Sequence, residues 1–395
     1  MAKIDELLKE LCPDGVEYVS LESILEYEQP GKYIVKNTEY NDLYTVPVLT
    51  AGKSFLLGYT NETSGVYEAS STKPTIIFDD FITSFHWVDF PCKVKSSALK
   101  FIRPKNNDNV CFRYVYYQMC TINFVAKEHV RHWISVYSKF AIPLPPVPIQ
   151  QYIVEVLDTF TDAIGNLEEE LALREKQFEY YREQLFNFDD ENYGGKQLCS
   201  DRVEWKTLGE IGSIVRGKRF CHRDAVDVGI PCIHYGEIYT YYGTKANVTK
   251  SFVDESLASK LRFAKKGDVV IVGAGENDLD IGIGVAYLGD DLVAVHDACY
   301  TLSNHNMNPL FISYWLRTNK YHQQIRMYVS SAKICSLSNE GLKKAFIPVP
   351  SLSVQQEIVE ILDTFEAMIA NIKEEIALRT KQYEYYREKL LSFGK

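Results

Sequence analysis

The sequence predicts an α+β protein: two mixed α/β domains of unlike sequence in a pseudo-twofold arrangement, joined by two long helices. Three observations carry that prediction. The stretch from Ile142 to Phe188 is written again from Ile347 to Phe393, with roughly 28 of about 47 positions identical and no gap. Within each copy, apolar residues recur at alternating spacings of four and three, the period of a helix with a seam on one face. Between the copies lie stretches with almost no mutual resemblance, where short strand-like runs alternate with turn residues.

Taken in order, the chain opens each half with a short echo, Leu11-Cys12-Pro-Asp-Gly-Val16-Glu17-Tyr18 against Leu198-Cys199-Ser-Asp-Arg-Val203-Glu204-Trp205. The first domain, 1–141, contains strand-like runs at 44–49, 75–78 and 98–102 and a helical pattern from Arg113 to Cys120. Next comes the first long helix, within 142–192, with its seam at Ile153, Leu157, Phe160, Ile164, Leu167, Leu171, Phe178, Tyr181, Leu185 and Phe188. The second domain, 193–346, has strand-like runs at 269–272, 284–287 and 292–295 and a helical run from Pro309 to Thr318. The second long helix, within 347–395, repeats the seam from Ile358 to Phe393. Ile-Pro-x-Pro before each helix must be extended, because proline denies helix to the residue before it. Pro148 and Ser353 mark the helix starts, and each helix is expected to run about 50 Å. Two such seams in one chain most simply pack on each other. Arg174 and Arg379 interrupt the seams at equivalent places. Such an arginine either fixes register or binds in trans, or snorkels past the seam to a nearby glutamate.

The 395 residues carry a formal net charge of -10 with 46% hydrophobic content. These are globular values, which exclude wholesale disorder and fibrous repeats. No apolar run approaches the roughly 18 residues that span a bilayer, and the charged N-terminus lacks the apolar core of a signal peptide. The nine cysteines include no Cys-x-x-Cys pair. A reduced, cytoplasmic protein without membrane contact is expected. The total charge speaks against a polyanion partner, but it is unevenly spread. Segments 1–50, 142–195 and 347–395 carry about -6, -9 and -2, whereas 51–141 and 211–346 carry about +4 and +3. Both domain bodies are therefore mildly basic.

Catalytic and cofactor motifs fail one by one. Ala51-Gly52-Lys53-Ser54 ends like a phosphate-binding loop, but Pro47 stands where its first glycine belongs. Gly273-Ala274-Gly275 would need glycine at 278, which is Asp278. Leu144-Pro145-Pro146-Val147 lacks the polar residue that would hold a target amine. His296-Asp297 with Cys299, and Cys221-His222, lack partners at ligand spacing, so a satisfied interior polar group is the better reading of His296. The chain is expected to be no enzyme and to hold no metal or cofactor of its own.

Basic residues cluster at Arg216, Lys218, Arg219 and Arg223, at Lys260, Arg262, Lys265 and Lys266, and at Arg103, Lys105 and Arg113. Such clusters neutralise phosphates, while neighbouring aromatics and amides can reach base edges. His234, Tyr235, Asn277 and Tyr241–Tyr242 are candidates for the latter. Two unlike basic domains spaced by like helices suit two half-sites on one side of a duplex. Lys53, Arg103, Lys105, Arg216, Lys218, Arg219 and Lys333 are the candidate cationic contacts. The bland alternative for each is a solvated surface cation.

The doubled Ile-Pro-x-Pro…Gln-Gln-x-Ile-Val-Glu-x-Leu-Asp-Thr-Phe run, the Arg-x-Lys-Gln-x-Glu-Tyr-Tyr-Arg-Glu runs from Arg174 and Arg379, and Gly229-Ile-Pro-Cys-Ile-His234-Tyr235-Gly236-Glu237-Ile238 closely resemble the specificity subunit of type I restriction-modification systems. The resemblance covers essentially the whole chain. It implies two target-recognition domains, each reading one half of a split asymmetric sequence in double-stranded DNA. It also implies that the helices form an antiparallel coiled coil that sets the spacer. That coil would dock two DNA adenine methyltransferase subunits, which recruit helicase-nuclease restriction subunits. S-adenosylmethionine, ATP and Mg²⁺ would then belong to those partners. Many members carry Glu-Gln where this chain has Gln150-Gln151 and Gln355-Gln356, with no functional consequence expected. Tyr180, Tyr181 and Arg182, with Tyr385, Tyr386 and Arg387, would pack the helices or meet the methyltransferases, as would Arg174 and Arg379. A non-catalytic two-domain protein-interaction scaffold is the alternative from another class. A self-contained methyltransferase is opposed by the missing cofactor motifs.

Overall fold

The computed structural model describes residues 2–50, 54–105, 108–126, 130–199, 201–330 and 334–393. It divides into two compact units, Met1–Leu167 with Glu375–Lys395, and Glu168–Glu374. The division crosses both long helices, so each unit holds one domain and a segment of each helix.

In the first unit the opening echo forms a strand, Tyr18–Ser20, paired antiparallel with Ala141–Pro143 from the Ile-Pro-x-Pro segment. The chain therefore enters and leaves the domain on adjacent strands. The body is a four-stranded antiparallel sheet in the order Leu25–Glu28, Leu99–Pro104, Thr75–Asp79, Phe85–Val88. Thr75–Asp79 is buried along its whole length, as a β-branched and aromatic run flanked by two strands should be. On this sheet packs a core that includes Phe78, Val115, Trp133 and Tyr137. The rings of Trp133 and Tyr137 meet Phe78 at 5.0 and 4.8 Å. N-terminal helix α1 (Ala2–Leu11) and domain helix α2 (Phe112–Met119) place Ile4, Tyr114 and Tyr117 against the start of long helix α3 (Val147–Leu185).

The second unit repeats the closure with different contents. Glu204–Thr207 pairs antiparallel with Phe346–Val349, again the opening echo against Ile-Pro-x-Pro. Inside are two five-stranded sheets. One runs Ser213–Arg216, Cys299–Ser303, Val269–Val272, Gly284–Tyr287, Lys245–Ala246, and its central Val-Val-Ile-Val strand is fully buried. The other runs Ala225–Val226, Ser251–Val253, Ile230–Ile233, Val293–Val295, Phe263–Ala264. A small sheet orders Ala274–Gly275, Cys335–Leu337 and Val329–Ser330. Domain helix α4 (Pro309–Trp315) starts under an Asn308 cap that accepts from the Leu310 N–H at 2.9 Å, with proline at its first turn. It buries Trp315 against the core, and the indole N–H donates to the Phe346 carbonyl at 3.0 Å.

Each domain is tied to the long helix that leaves it by polar residues of the repeat. In the first unit, buried Gln150 uses both ends of its amide. Oε1 accepts from the Cys111 N–H at 2.8 Å, and Nε2 donates to the carbonyls of Asn109 and Pro145 at 2.9 and 2.6 Å. In the second unit, Gln355 of the second long helix α5 (Leu352–Leu391) accepts from the Asn308 N–H at 2.9 Å and donates to the Pro350 carbonyl at 2.8 Å. Two turns further along, Asp158 accepts from Arg113 at 2.8 Å and from the Tyr117 hydroxyl. Its repeat equivalent Asp363 accepts from Lys245 at 3.0 Å and from the Tyr314 hydroxyl at 2.6 Å. A glutamate at 150 or 355 would set a carboxylate against carbonyl oxygens, so the amide has a structural role that was not anticipated for the Gln-Gln pairs.

Gln150→Ala removes the amide's hydrogen bonds to the Cys111 N–H and the Pro145 carbonyl, with an expected cost of about 2–3 kcal/mol in urea denaturation. Gln151→Ala, at an exposed position, is expected to stay within about 0.5 kcal/mol of the parent. A second outcome concerns pH. Burial holds the imidazoles of His86, His305 and His322 below their ordinary value. A depressed histidine leaves the folded state with fewer protons than the unfolded one, so its stabilising contribution is present above about pH 6.5 and lost as pH falls. Denaturation midpoints should drop between pH 7.5 and pH 5.5, less steeply in His322→Gln.

Candidate nucleic-acid interface

The second unit draws two sequence-distant basic clusters together. Arg216 ends the edge strand Ser213–Arg216, and its Nε donates to the Asp297 carbonyl at 2.6 Å. Arg262 reaches the same place, donating from Nη1 to the Arg216 carbonyl at 2.6 Å. The turn after Arg216 lies against 295–299: Gly217 N–H donates to Cys299 and Lys218 N–H to Val295, each at 2.9 Å. A Cβ at Gly217 would stand 2.2 Å from the His296 carbonyl, so only glycine permits the approach. Lys218 and Arg219 then project, exposed, beside Arg216 and Arg262.

Behind this turn, rings form a support. Phe220 meets His234 at 4.8 Å and His296 at 5.0 Å, and Tyr235 meets His296 at 6.0 Å. His296 Nδ1 accepts from the Ala298 N–H at 3.0 Å, which leaves Nε2 to donate to the Phe220 carbonyl at 3.1 Å. It is the satisfied interior group expected from the sequence. His234 donates from its backbone N–H to Glu237 at 3.0 Å. Asn277 is exposed and caps a turn by accepting from the Leu279 N–H at 3.1 Å, among Glu276, Asp278 and Asp280. Tyr241 is exposed under Lys250, whereas the Tyr242 hydroxyl accepts from the Lys250 N–H.

In the first unit the candidate cations have local partners. Arg103 lies 3.4 Å from Glu26 and 3.5 Å from Glu28, and Lys105 donates to the Glu22 carbonyl at 2.6 Å. Lys53 and Lys333 lie outside the described residues.

On the long helices the repeat makes the same contacts in both units. Phe160 stacks on Tyr386 in the first at 5.2 Å and 24°, and Phe365 stacks on Tyr181 in the second at 5.2 Å and 23°. The Leu-Asp-Thr-Phe phenylalanine of one copy thus meets the second tyrosine of the other copy's Glu-Tyr-Tyr-Arg-Glu. In the second unit Glu175 pairs with Lys373 at 2.8 Å, so numbers rise along α3 as they fall along α5 and the segments are antiparallel. Arg174 pairs along its own helix with Glu170 and Gln177, and Arg379 with Glu375 and Gln382. Both snorkel to neighbouring acids. Arg182 covers Phe178 at 5.7 Å, and its equivalent Arg387 covers Tyr383 at 5.4 Å. Leu173 and Tyr180 on α3 stay 64% and 59% exposed, and Leu378 and Tyr385 on α5 stay 48% and 52% exposed. These are leucine–tyrosine pairs two turns apart, repeated in both units, which the seam pattern did not single out.

Comparison with known proteins gives this arrangement its context. The family model for the type I restriction modification DNA specificity domain matches twice, over residues 13–173 and 201–378. The chain belongs to the type I restriction-modification DNA specificity family. A specificity subunit of a type I restriction enzyme of Escherichia coli is 36% identical over all of this chain and 98% of its own length. A putative type I specificity subunit of Haemophilus influenzae is 30% identical, covering 71% of this chain and 72% of its own. The crystal structure of a type I S subunit from M. genitalium shares the fold at TM-score 0.61 and 14% identity, over 96% of this chain and 97% of that one. Membership makes this specificity subunit a DNA-recognition component, itself non-catalytic. Among the described residues, no group of three His, Cys, Asp or Glu side chains could hold a metal ion, and no helix is long and apolar enough to cross a membrane.

The ring pairs are open to measurement. In a double-mutant cycle, Tyr181→Ala and Phe365→Ala should couple by about 0.5–1.5 kcal/mol, with Tyr180→Ala and Phe365→Ala near zero.

Proposed function

We propose that each domain of this specificity subunit reads one half of a split, asymmetric target in double-stranded DNA, and that the paired long helices fix the spacer between the halves. The observation that carries this reading is the contrast between parts. The clamps and ring pairs of the helices are equivalent in both units, while the domains attached to them share neither sequence nor sheet order. Equivalent helix surfaces suit two copies of one partner; unlike domains suit two unlike half-sites. The exposed pairs Leu173/Tyr180 and Leu378/Tyr385 are the docking faces this reading assigns to two adenine methyltransferase subunits. Those subunits, with the helicase-nuclease restriction subunits they recruit, would supply S-adenosylmethionine, ATP and Mg²⁺ chemistry. Arg216, Lys218, Arg219 and Arg262 would meet phosphates, a role that needs charge and reach rather than a fixed geometry.

The test is methylome sequencing of the host. One split motif carrying N6-methyladenine should vanish when this chain is deleted, and an unchanged methylome would sink the proposal. Replacing 25–141 with the corresponding domain of another family member should alter one half of the motif alone. Alteration of both halves would defeat the assignment of one half-site to each domain. For the purified complex, Lys218→Ala and Arg219→Ala should each weaken binding on every sequence and lower the log–log salt slope by about 1.

A further inference from the structure

The second domain contains a cleft of about 430 Å³ whose lining includes Arg216, Tyr328, Ser330, Ser336 and Asn339 and, among the described residues, no carboxylate. In a chain of net charge -10, a polar cleft whose one charged side chain among the described residues is an arginine is selective for electron-rich groups. It lies between the edge strand that ends at Arg216 and the small sheet of Ala274–Gly275, Cys335–Leu337 and Val329–Ser330.

Two of its side chains have hydrogen-bonding capacity that the protein does not use. Asn339 Oδ1 is shielded from water and has no hydrogen-bond partner. An unpaired buried acceptor is unfavourable, and native structures keep few of them without a reason. The outer torsion of asparagine is broad and roughly two-fold, so a turn of the carboxamide brings Oδ1 to the cleft when a donor arrives. Arg216 spends only Nε, on the Asp297 carbonyl, which leaves its four terminal N–H groups without a partner among the described residues. Other hydroxyls of the lining are already paired. Ser330 and Ser336 hydroxyls lie 2.8 Å apart, and the Tyr300 hydroxyl donates to the Leu337 carbonyl at 2.8 Å. The cleft therefore asks for one ligand that both donates to and accepts from a carboxamide, with an anion beside it.

Adenine has that edge in the major groove, with N6–H₂ as donor next to N7 as acceptor, and asparagine matches it with two bonds. A backbone phosphate supplies the anion. Resting on the reading that this domain recognises DNA, we infer that the cleft is its base-reading pocket. Asn339 reads an adenine in the half-site, and Arg216 holds a flanking phosphate together with Lys218, Arg219 and Arg262. The two residues then have separable effects. Asn339 sets which base is accepted; Arg216 sets how tightly any sequence is held.

The experiment compares host methylomes for the parent, Asn339→Ala, Asn339→Asp and Arg216→Ala, all in the intact complex. Asn339→Ala should relax one adenine of one half-site, losing about 5- to 150-fold in discrimination there, with the other half unchanged. Asn339→Asp keeps an acceptor but no donor and should admit cytosine, whose N4–H₂ satisfies a carboxylate. Arg216→Ala should leave the motif as it is and lower occupancy at every site. An unchanged motif in both Asn339 variants overturns the inference, as does relaxation at many positions. If Asn339→Ala abolishes methylation, the purified complex decides on duplexes altered one base at a time. Equal loss on all of them, with Asn339→Asp like the parent, overturns it. Failure of the DNA-recognition reading would look different: deletion of the whole chain would leave the host methylome untouched.

Discussion

Everything in this molecule depends on how a domain is held to the helix that leaves it. The holding group is a buried carboxamide, Gln150 in one unit and Gln355 in the other, with a carboxylate, Asp158 or Asp363, two turns on. The amide occupies a backbone N–H at the start of a domain helix and returns a bond to the chain just before its own helix. Because both ends are used, the helix direction is set relative to the domain at its first turn. The carboxylate then takes a tyrosine hydroxyl and a cation from the domain, which fixes rotation about the helix axis. An apolar seam alone would allow a helix to slide or roll; two polar ties at known spacing do not.

The same ties explain why the sequence repeats where it does and nowhere else. Identity includes residues that meet equivalent partners, the amide and carboxylate ties and the stacked phenylalanine–tyrosine rings, and the exposed leucine–tyrosine pairs of the long helices. Between the closing strands, the two domains differ in sequence and in sheet order. One carries a four-stranded and a three-stranded sheet, the other two five-stranded sheets and a three-stranded one, and the closure is indifferent to the difference.

Much of this was legible in the sequence because the interactions are local or periodic. The helices follow from the alternation of four and three, and Thr75–Asp79, Val269–Val272 and Gly284–Tyr287 from apolar runs between turns. The arginines of the seam could be read to their neighbouring acids because those acids lie one helical turn away. The ties were not legible, since a glutamine near a helix start looks like solvated surface until its backbone partner is known. Nor was the meeting of Arg216 with Arg262, which depends on Gly217 passing against the His296 carbonyl. A cation's surroundings are set by non-local folding: Arg103 and Arg216 look alike in sequence, yet one faces two glutamates and the other meets no carboxylate among the described residues.

The pairing of the first and last strand of each domain has a consequence on another timescale. A domain whose two ends leave side by side is a cassette: its contents can be exchanged without moving the flanking chain. Near-identical helix segments beside each cassette are matching stretches at which coding sequences can cross over in frame. A lineage can therefore exchange one whole domain in a single event and leave the long helices as they are. The fold separates what must stay constant from what is free to vary, and the boundary is a pair of hydrogen-bonded strands.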